Sequence, residues 1–275
     1  MENRLRIRRF TAPQRIFHVG LMICFLIQGA TGLSRMYMET GWGKTMGSLF
    51  GGYEGARTVH VSVGIIMLCW FGLHVLYVLL NIEWKGFPKS LMGPDSILPQ
   101  PRDLREFVSH VAWLFGIRKP PEIDRYGYWE KFDYWAVFWG MAIIGVTGLM
   151  MAFPFAATRI VPGWMLNVAF WIHRIEALLA MAHVFIIHFF LGHLRPSTFP
   201  MDQAMFEGSV DLEKTRHERP AWISRLEKNG ALESMLTAEA GPNLKLIYYV
   251  FGYAAMLAGI ILLIGGIFNA FQITW

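Results

Sequence analysis

Five long apolar stretches constrain the fold of this chain more than any other feature of its sequence. A helix needs roughly 20 consecutive apolar residues to cross the hydrocarbon core of a bilayer, and each stretch is about that long. Because backbone polar groups in lipid must bond to one another, each stretch is expected to be an α-helix. The sequence therefore predicts an all-α integral membrane bundle of five transmembrane helices, forming a single membrane domain over residues 1–275. The predicted spans are residues 16–34, 58–82, 134–153, 165–194 and 246–271.

The composition agrees with lipid as the solvent and excludes several classes of protein. Only 16% of the residues are charged and 54% are hydrophobic, whereas a soluble domain carries about 25% charged residues. Cys24 and Cys69 both lie inside apolar runs, and the sequence has no CxxC or CxxCH motif. Zinc ribbons, iron–sulfur clusters and covalently attached c-type haem are therefore not expected. The sequence also lacks a flavin or nucleotide fingerprint.

The basic residues predict the orientation of the spans. Of the 25 Lys and Arg residues, 20 lie in the N-terminal arm and in the connections that follow the second and fourth spans. By the positive-inside rule, the N-terminus is cytoplasmic and the C-terminus lies outside. We thus expect a multi-pass protein of a prokaryotic cytoplasmic (inner) membrane, with cytoplasmic loops at residues 83–130 and 196–244. The net charge of +5 is interpreted as a topology signal, so membrane lipid is an expected partner and nucleic acid is not.

Histidines are concentrated in three of the five predicted spans. An imidazole in lipid is costly unless it finds a partner, and a buried neutral imidazole is a good iron ligand. A haem supplies that partner, because its apolar ring fits between helices while its iron takes a nitrogen from each side. Seven of the nine histidines lie in or at the ends of spans: His18 in the first, His60 and His74 in the second, and His173, His183, His188 and His193 in the fourth.

The spacing of these histidines predicts two haems stacked across the membrane. His60 and His74 are 14 residues apart, which is about 21 Å along a helix. His173 and His188 are 15 residues apart, which is about 22 Å. Since the second and fourth spans run in the same direction, His60 is expected at the depth of His173, and His74 at the depth of His188. His18 also lies near the inner end of its span and competes with His74 as the partner of His188.

Two further histidines of the fourth span are open to other roles. In α-helical geometry His183 points about 140° away from His188, so a structural role is expected. A pairing of His18 with His193 would create a third haem site. A rival interpretation of all the intramembrane histidines is a transporter component that uses them for metal ions or protons. No internal repeat is evident in the sequence.

Motifs in the first four spans carry a family resemblance. They are "RIFHVGLMICFLIQGATGL", "RTVHVSVG", "FWGMAIIGVTGLM", and "IHRIEALLAMAHVFIIHFF" followed by "MFEGSV". Together they resemble the membrane cytochrome b subunits of respiratory formate dehydrogenases, and the related b-type subunits of thiosulfate reductases and hydrogenases. The segments "YWEKFDYWAVFWG" and "HFFLGHLRPSTFPMD" are similar to a subset that is found beside multihaem c-type cytochromes.

The resemblance implies a ligand set that differs in part from the one derived from depth. It implies an outer haem held by His60 and His173 and an inner haem held by His18 and His188. The depth argument pairs His74 with His188, so the inner partner of His188 stays open between His18 and His74. The spacing from His173 to His188 is also one residue longer here than in formate dehydrogenase. His74, His193 and the fifth span do not belong to the family pattern.

The resemblance also implies a function. A b-type cytochrome subunit of a respiratory complex would carry electrons across the membrane through two b haems. It would connect a menaquinone or ubiquinone pool at the inner haem with a partner redox subunit at the outer haem. That partner would be an iron–sulfur or multihaem c-type cytochrome subunit of the same complex, and the chain would not be catalytic alone. A further alternative is a membrane anchor protein in which haem has only a structural role.

Side chains near the candidate ligands have expected supporting roles. His193 is the candidate quinone contact, whereas Lys131 and Trp129 are interpreted as interfacial anchors. Gly32 and Gly148 are interpreted as helix-packing positions. Arginines beside three of the candidate ligands are expected to pair with haem propionates through charge-assisted hydrogen bonds: Arg15, Arg57 and Arg174.

Overall fold

The structure is a computed structural model that describes residues 5–196, 198–199 and 201–272. Within these residues, short 3₁₀ turns lie at Trp84–Gly86, Lys89–Met92 and Ala270–Gln272. The other elements, in chain order, are β1 (Arg6–Arg8), α1 (Ala12–Met36), α2 (Gly41–Ser48), α3 (Gly52–Leu80), α4 (Pro101–Leu114), α5 (Tyr128–Ala152), α6 (Pro154–Ala157), α7 (Met165–Ala182), α8 (Ala204–Glu207), β2 (Ser209–Asp211), α9 (Leu212–Glu218), α10 (Pro220–Lys228), α11 (Leu232–Met235), β3 (Leu236–Thr237) and α12 (Pro242–Asn269).

Five of these helices are long and apolar enough to cross a membrane: α1, α3, α5, α7 with its continuation to Leu194, and α12 with its continuation to Gln272. The predicted all-α bundle of five spans is confirmed. Every spanning helix except α7 begins before its predicted span, because hydropathy marks only the part in lipid. The helix α5 starts at Tyr128, since the Glu130 carboxylate accepts a hydrogen bond from the Gly127 N–H at 2.9 Å and caps the first turn. The orientation of the termini stays a prediction, and Arg4 of the basic arm lies outside the described residues.

The chain forms two compact units, and the single membrane domain over residues 1–275 stays a prediction. The first, here called the sheet unit, comprises Met1–Ala12, Leu76–Phe138 and Gln203–Lys245. The second, here called the bundle unit, comprises Pro13–Val75, Trp139–Asp202 and Leu246–Trp275. The predicted cytoplasmic loops, residues 83–130 and 196–244, therefore contribute most of a folded unit and are not simple connections.

The sheet unit is built on a three-stranded antiparallel sheet in the order β2-β1-β3. Ile7 in the central strand pairs with Val210 on one side and Leu236 on the other. Its side chain is fully buried together with Trp222 and Ile223. Burying apolar surface contributes about 25 cal/mol per Å², so this cluster stabilises the fold of segments that are far apart in sequence.

Charged side chains brace the sheet unit. Glu130 accepts hydrogen bonds from the guanidinium of Arg9 at 2.7 Å and from that of Arg219 at 2.9 Å. Lys131 donates to both carboxylate oxygens of Asp103 at 2.8 and 3.0 Å. Lys131 is only 1% exposed. Such a buried pair is costly to break, because either partner alone would be an uncompensated buried charge.

The bundle unit is held together by close helix contacts. A Cβ on Gly145 of α5 would approach the Leu68 side chain of α3 to 2.6 Å. A Cβ on Gly259 of α12 would approach the Phe185 and Phe189 rings to 2.8 Å. The fifth span, which has no histidine, thus packs directly against the histidine-rich fourth span.

Candidate functional site

Two pairs of histidines face each other inside the bundle unit. The ring of His60 on α3 lies 6.2 Å from the ring of His173 on α7, measured between centroids, with the ring planes 78° apart. The ring of His18 on α1 lies 6.3 Å from the ring of His188, with the ring planes 38° apart. The structure therefore brings four of the predicted ligands together as two pairs.

The separation within each pair fits one iron ion between two imidazoles. A metal–imidazole bond is about 2.0–2.1 Å long, and a ring nitrogen lies roughly 1 Å from the centre of its ring, so two bonds in line place the centroids about 6 Å apart. The observed values of 6.2 and 6.3 Å agree with this expectation. Four imidazoles in two facing pairs inside an apolar bundle are the donor set that two b haems would need.

Hydrogen bonds determine which nitrogen of His60 carries the proton. The hydroxyl of Thr31 donates its single hydrogen to the Ile27 carbonyl at 2.7 Å. Its oxygen therefore accepts from the Nδ1–H of His60, 3.0 Å away. Thr31 is fully buried, so water does not compete for this bond. A proton on Nδ1 leaves the lone pair on Nε2, which is the form in which imidazole binds a metal through Nε2.

His173 is held in the same way and by one additional bond. The Thr147 hydroxyl donates to the Ile143 carbonyl at 2.7 Å and lies 3.1 Å from Nδ1 of His173. Nδ1 is also 3.1 Å from the Ile144 carbonyl. Because a carbonyl oxygen can only accept, Nδ1 of His173 must be the protonated nitrogen. Both histidines of this pair thus present an unprotonated Nε2.

A short internal repeat produces these two arrangements. The sequence is "GATGL" at residues 29–33 of α1 and "GVTGL" at residues 145–149 of α5. In each copy the glycine after the threonine lies against the histidine of the following span: a Cβ on Gly32 would be 3.2 Å from Cε1 of His60, and one on Gly148 would be 3.1 Å from Cε1 of His173. The prediction that the sequence has no internal repeat is therefore wrong. The repeated pentapeptide was the signal that could have found Thr31 and Thr147.

The end of the fourth span departs from α-helical geometry. It forms π-helical turns over His183–His188 and Phe190–Leu194. In these turns residues five apart stack much as residues four apart do in an α-helix. The angle predicted between His183 and His188 assumed α-helical geometry, which this segment does not have; the structural role expected of His183 stays a prediction. A π turn takes up one more residue than an α turn, and these π turns begin between His173 and His188.

Two other predicted residues lie beside the second pair. The ring of His74 packs edge-on against Phe17, with centroids 5.0 Å apart. The ring of His193 lies 6.1 Å from that of His188, and the two planes are 86° apart. The geometry therefore favours His18 over His74 as the partner of His188.

The predicted arginines have different surroundings. Arg57 is 3.5 Å from Glu54 on the same helix, and its side chain is 56% exposed. An exposed side chain paired in this way is poorly suited to a buried propionate. Arg174 stacks over the rings of Phe170 and Trp171, at 5.0 and 5.6 Å from their centroids. Arg15 lies on α1 one turn before His18.

The sequence did not single out Arg35 as a site residue. Its guanidinium stacks over Tyr53 at 5.3 Å, and it is close enough for its charge to act on both His60 and His173. Its Nε is buried and has no hydrogen-bond partner among the described residues. Such a donor beside the first histidine pair is suited to an anionic group such as a propionate.

Lys131 and Trp129 both lie in the sheet unit, and the burial of Lys131 contradicts its expected role as a surface anchor. Lys131 is buried against Asp103, so it is not a surface anchor. Trp129 packs against the rings of Tyr128 and His110, with centroids 5.1 and 6.0 Å apart. Both side chains are engaged within the sheet unit.

A membrane bundle with facing imidazoles on neighbouring spans defines a b-type cytochrome that serves as an electron-transfer subunit. The chain belongs to the prokaryotic cytochrome b561 family, whose profile matches residues 9–208. It is a respiratory cytochrome b membrane subunit, and it is a multi-pass protein of the inner membrane.

Curated relatives agree with this assignment. The chain is 24% identical to the cytochrome b556(fdo) subunit of formate dehydrogenase from Escherichia coli (strain K12) over 229 residues, covering 83% of this chain and 97% of the relative. It is 23% identical to the formate dehydrogenase cytochrome b556 subunit from Haemophilus influenzae over 260 residues, covering 92% and 98%. The family implies haem b as the cofactor.

Proposed function

We propose that this chain carries electrons across the membrane through two b haems. His60 and His173 hold the iron of one haem, and His18 and His188 hold the iron of the other. The observation that carries the proposal is the pair of centroid separations, 6.2 and 6.3 Å, both of which suit an iron ion between imidazoles. Bound haem supplies a reversible one-electron couple.

The protein's own residues prepare these two sites. Thr31 and Thr147 hold Nδ1 of His60 and His173 protonated and keep the rings from rotating. Gly32 and Gly148 let the helices approach the imidazoles. Arg35 supplies a positive charge next to the first pair, where it neutralises a propionate. His173 and His188, both on the fourth span, set the two iron positions at different depths.

The two ends of this path serve different partners. In the orientation predicted from the basic residues, the haem site of the second pair lies at the cytoplasmic level, where menaquinone or ubiquinone would exchange electrons with it. His193, beside His188, would contact the quinone headgroup. At the haem site of the first pair, the electron partner would be a redox subunit of the same complex, of the iron–sulfur or multihaem c-type. The named relatives, which are subunits of formate dehydrogenase, support a catalytic partner of this kind.

Haem counting on histidine variants tests the ligand assignment. The purified wild-type chain should contain two haems per polypeptide in a pyridine haemochrome assay. His60→Ala and His18→Ala should each retain one haem, and His74→Ala is the matched control that should retain two. A haem-free wild-type protein would support a transporter that uses its histidines for ions. Loss of a haem in His74→Ala with none lost in His18→Ala would overturn the assignment of the second pair.

A second experiment tests the quinone contact. His193→Gln should retain both haems and be reduced fully by dithionite, but its reduction by a soluble quinol should slow at least tenfold. Unchanged quinol reduction would remove His193 from the quinone site. Absence of quinol reduction in the wild-type chain would support the structural-anchor alternative.

A further inference from the structure

Helix α4, in the sheet unit, has an apolar face that is largely exposed. On a helical projection with 100° per residue, its apolar side chains fall within an arc of about 120°, the width expected of an amphipathic helix. Each of these side chains is between 37% and 70% exposed. They are Leu104, Phe107, Val108, Val111 and Leu114.

The adjoining polar face of α4 is engaged with the first turns of α5, and Phe107 at the edge of the apolar face also contacts Tyr128, with ring centroids 5.4 Å apart. Asp103 accepts from Lys131 at 2.8 Å, and the His110 ring lies 6.0 Å from the Tyr128 ring. Glu106 also belongs to this face, and burial together with the nearby Asp103 carboxylate raises its pKa. On the same projection the centres of the two faces are about 100° apart, so most of the apolar face points to the side of α5 and not toward it.

The contacts also indicate the direction of α4. Asp103 and His110 are separated by roughly 10 Å along α4, while their partners Lys131 and Tyr128 are separated by only about 4–5 Å along α5. Two turns of α4 therefore meet a single turn of α5, as expected of helices that cross at a steep angle. Since α5 spans the membrane, a helix crossing it steeply lies close to the membrane plane.

The position along α5 places α4 at the bilayer surface. The helix α5 has 25 residues, which gives it a length of about 38 Å, while the hydrocarbon core is about 30 Å thick. Its first turn, with Tyr128 and Lys131, thus extends into the interfacial layer. The exposed basic residues Arg105, Arg118 and Lys119 are suited to lipid phosphates at this level.

We propose that α4 is an interfacial helix whose apolar face inserts into the acyl chains of the membrane that α5 spans. The partner is the lipid bilayer and not a protein subunit. In this arrangement the ion pair between Asp103 and Lys131 connects α4 to α5, and the exposed apolar side chains of α4 contact lipid instead of water. This proposal does not depend on haem or quinone binding.

Spin labels on the full chain test the proposal. In a background with Cys24→Ala and Cys69→Ala, single cysteines at Leu104, Val108 and Arg105 are labelled with a nitroxide, and the protein is reconstituted as one copy per lipid nanodisc. Power saturation then compares the accessibility of each label to oxygen, which concentrates in lipid, and to a water-soluble nickel chelate. The labels at Leu104 and Val108 should be at least threefold more accessible to oxygen than to nickel, and the label at Arg105, the matched control, should show the reverse.

Two results would overturn the proposal. One is equal nickel accessibility at Leu104, Val108 and Arg105 in the nanodisc, which would mean that the face is in water. The other is nickel protection at Leu104 and Val108 that arises only when a partner subunit or a second copy of the chain is added, which would make the face a protein interface. Replacement of Val108 by Cys at an exposed position should not disturb folding, and a monodisperse elution profile serves to verify this.

Discussion

Replacing Thr31 by Val should raise the midpoint potential of the haem held by His60 and His173. The hydrogen bond from Nδ1–H of His60 to Thr31 gives the imidazole more electron density, which stabilises ferric iron. Valine has a similar shape and cannot accept this bond. Because Thr31 is fully buried, water is not expected to replace the hydroxyl.

The size of the shift follows from the strength of one hydrogen bond. A hydrogen bond contributes about 0.5–1.5 kcal/mol, and a tenfold change in a one-electron equilibrium corresponds to about 1.4 kcal/mol or 59 mV. We therefore expect an increase of about 20–60 mV. For Thr147→Val the increase should be at most half as large, because Nδ1 of His173 keeps the Ile144 carbonyl at 3.1 Å.

An optical redox titration of the purified chain measures both shifts. The matched control is Thr58→Val, since Thr58 is an exposed threonine on the helix of His60 whose hydroxyl bonds to the Glu54 carbonyl at 2.9 Å. This control substitution should leave the midpoint potentials of both haems within about 10 mV of the wild-type values. A midpoint potential in Thr31→Val below that of the wild type would refute the reasoning from the hydrogen bonds. A shift in Thr147→Val as large as the shift in Thr31→Val would also refute it.

Three further changes have defined outcomes. Arg35→Leu should lower the midpoint potential of the haem held by His60 and His173 by on the order of 40 mV, since removing a nearby positive charge costs the reduced form about 1 kcal/mol. Arg35→Lys keeps the charge and should keep most of the potential. An unchanged potential in Arg35→Leu would contradict the placement of Arg35 beside this haem. Lys131→Met should destabilise the protein by about 3–5 kcal/mol in thermal unfolding, because the buried Asp103 carboxylate would lose its counter-charge. The double variant with Asp103→Asn, which can still accept the Gln100 N–H that caps α4, should recover most of the loss. Partial burial raises the pKa of Asp95, but hydrogen bonds and charge from Arg225 outweigh this effect and hold the pKa below its usual range. The contribution of Asp95 to stability is therefore present above about pH 4 and is lost as the pH falls through the lowered pKa. Asp95→Asn should reduce the loss of stability at acid pH, and an unchanged dependence of stability on pH would contradict this assignment.

Much of the architecture can be predicted from the sequence alone. The length of an apolar run determines whether a segment can span the bilayer, and that property is local, so all five spans were found. The candidate ligands were also found, because intramembrane imidazoles are costly and therefore conspicuous. Boundaries were less accurate, since a cap such as the one from Glu130 extends a helix past its apolar part.

Other features depend on contacts between segments that are distant in sequence. The N-terminal strand pairs with residues 209–211 and 236–237, and no local pattern specifies such partners. Arg35 gained its position beside the first histidine pair only because α1 packs next to α3 and α7. The bond from Thr31 to His60 is of the same kind, although the repeated pentapeptide gave a visible hint.

The histidines show most clearly which features the sequence determines and which depend on the tertiary structure. The sequence determined that imidazoles lie on the first, second and fourth spans at two depths, because rise per residue is fixed in a helix. It left His18 and His74 as equal candidates beside His188, because rotation of one helix relative to another is set by packing. The position of His18 opposite His188 was decided only by the tertiary structure. It depends on the π turns at the end of the fourth span and on the packing of α1 against that span.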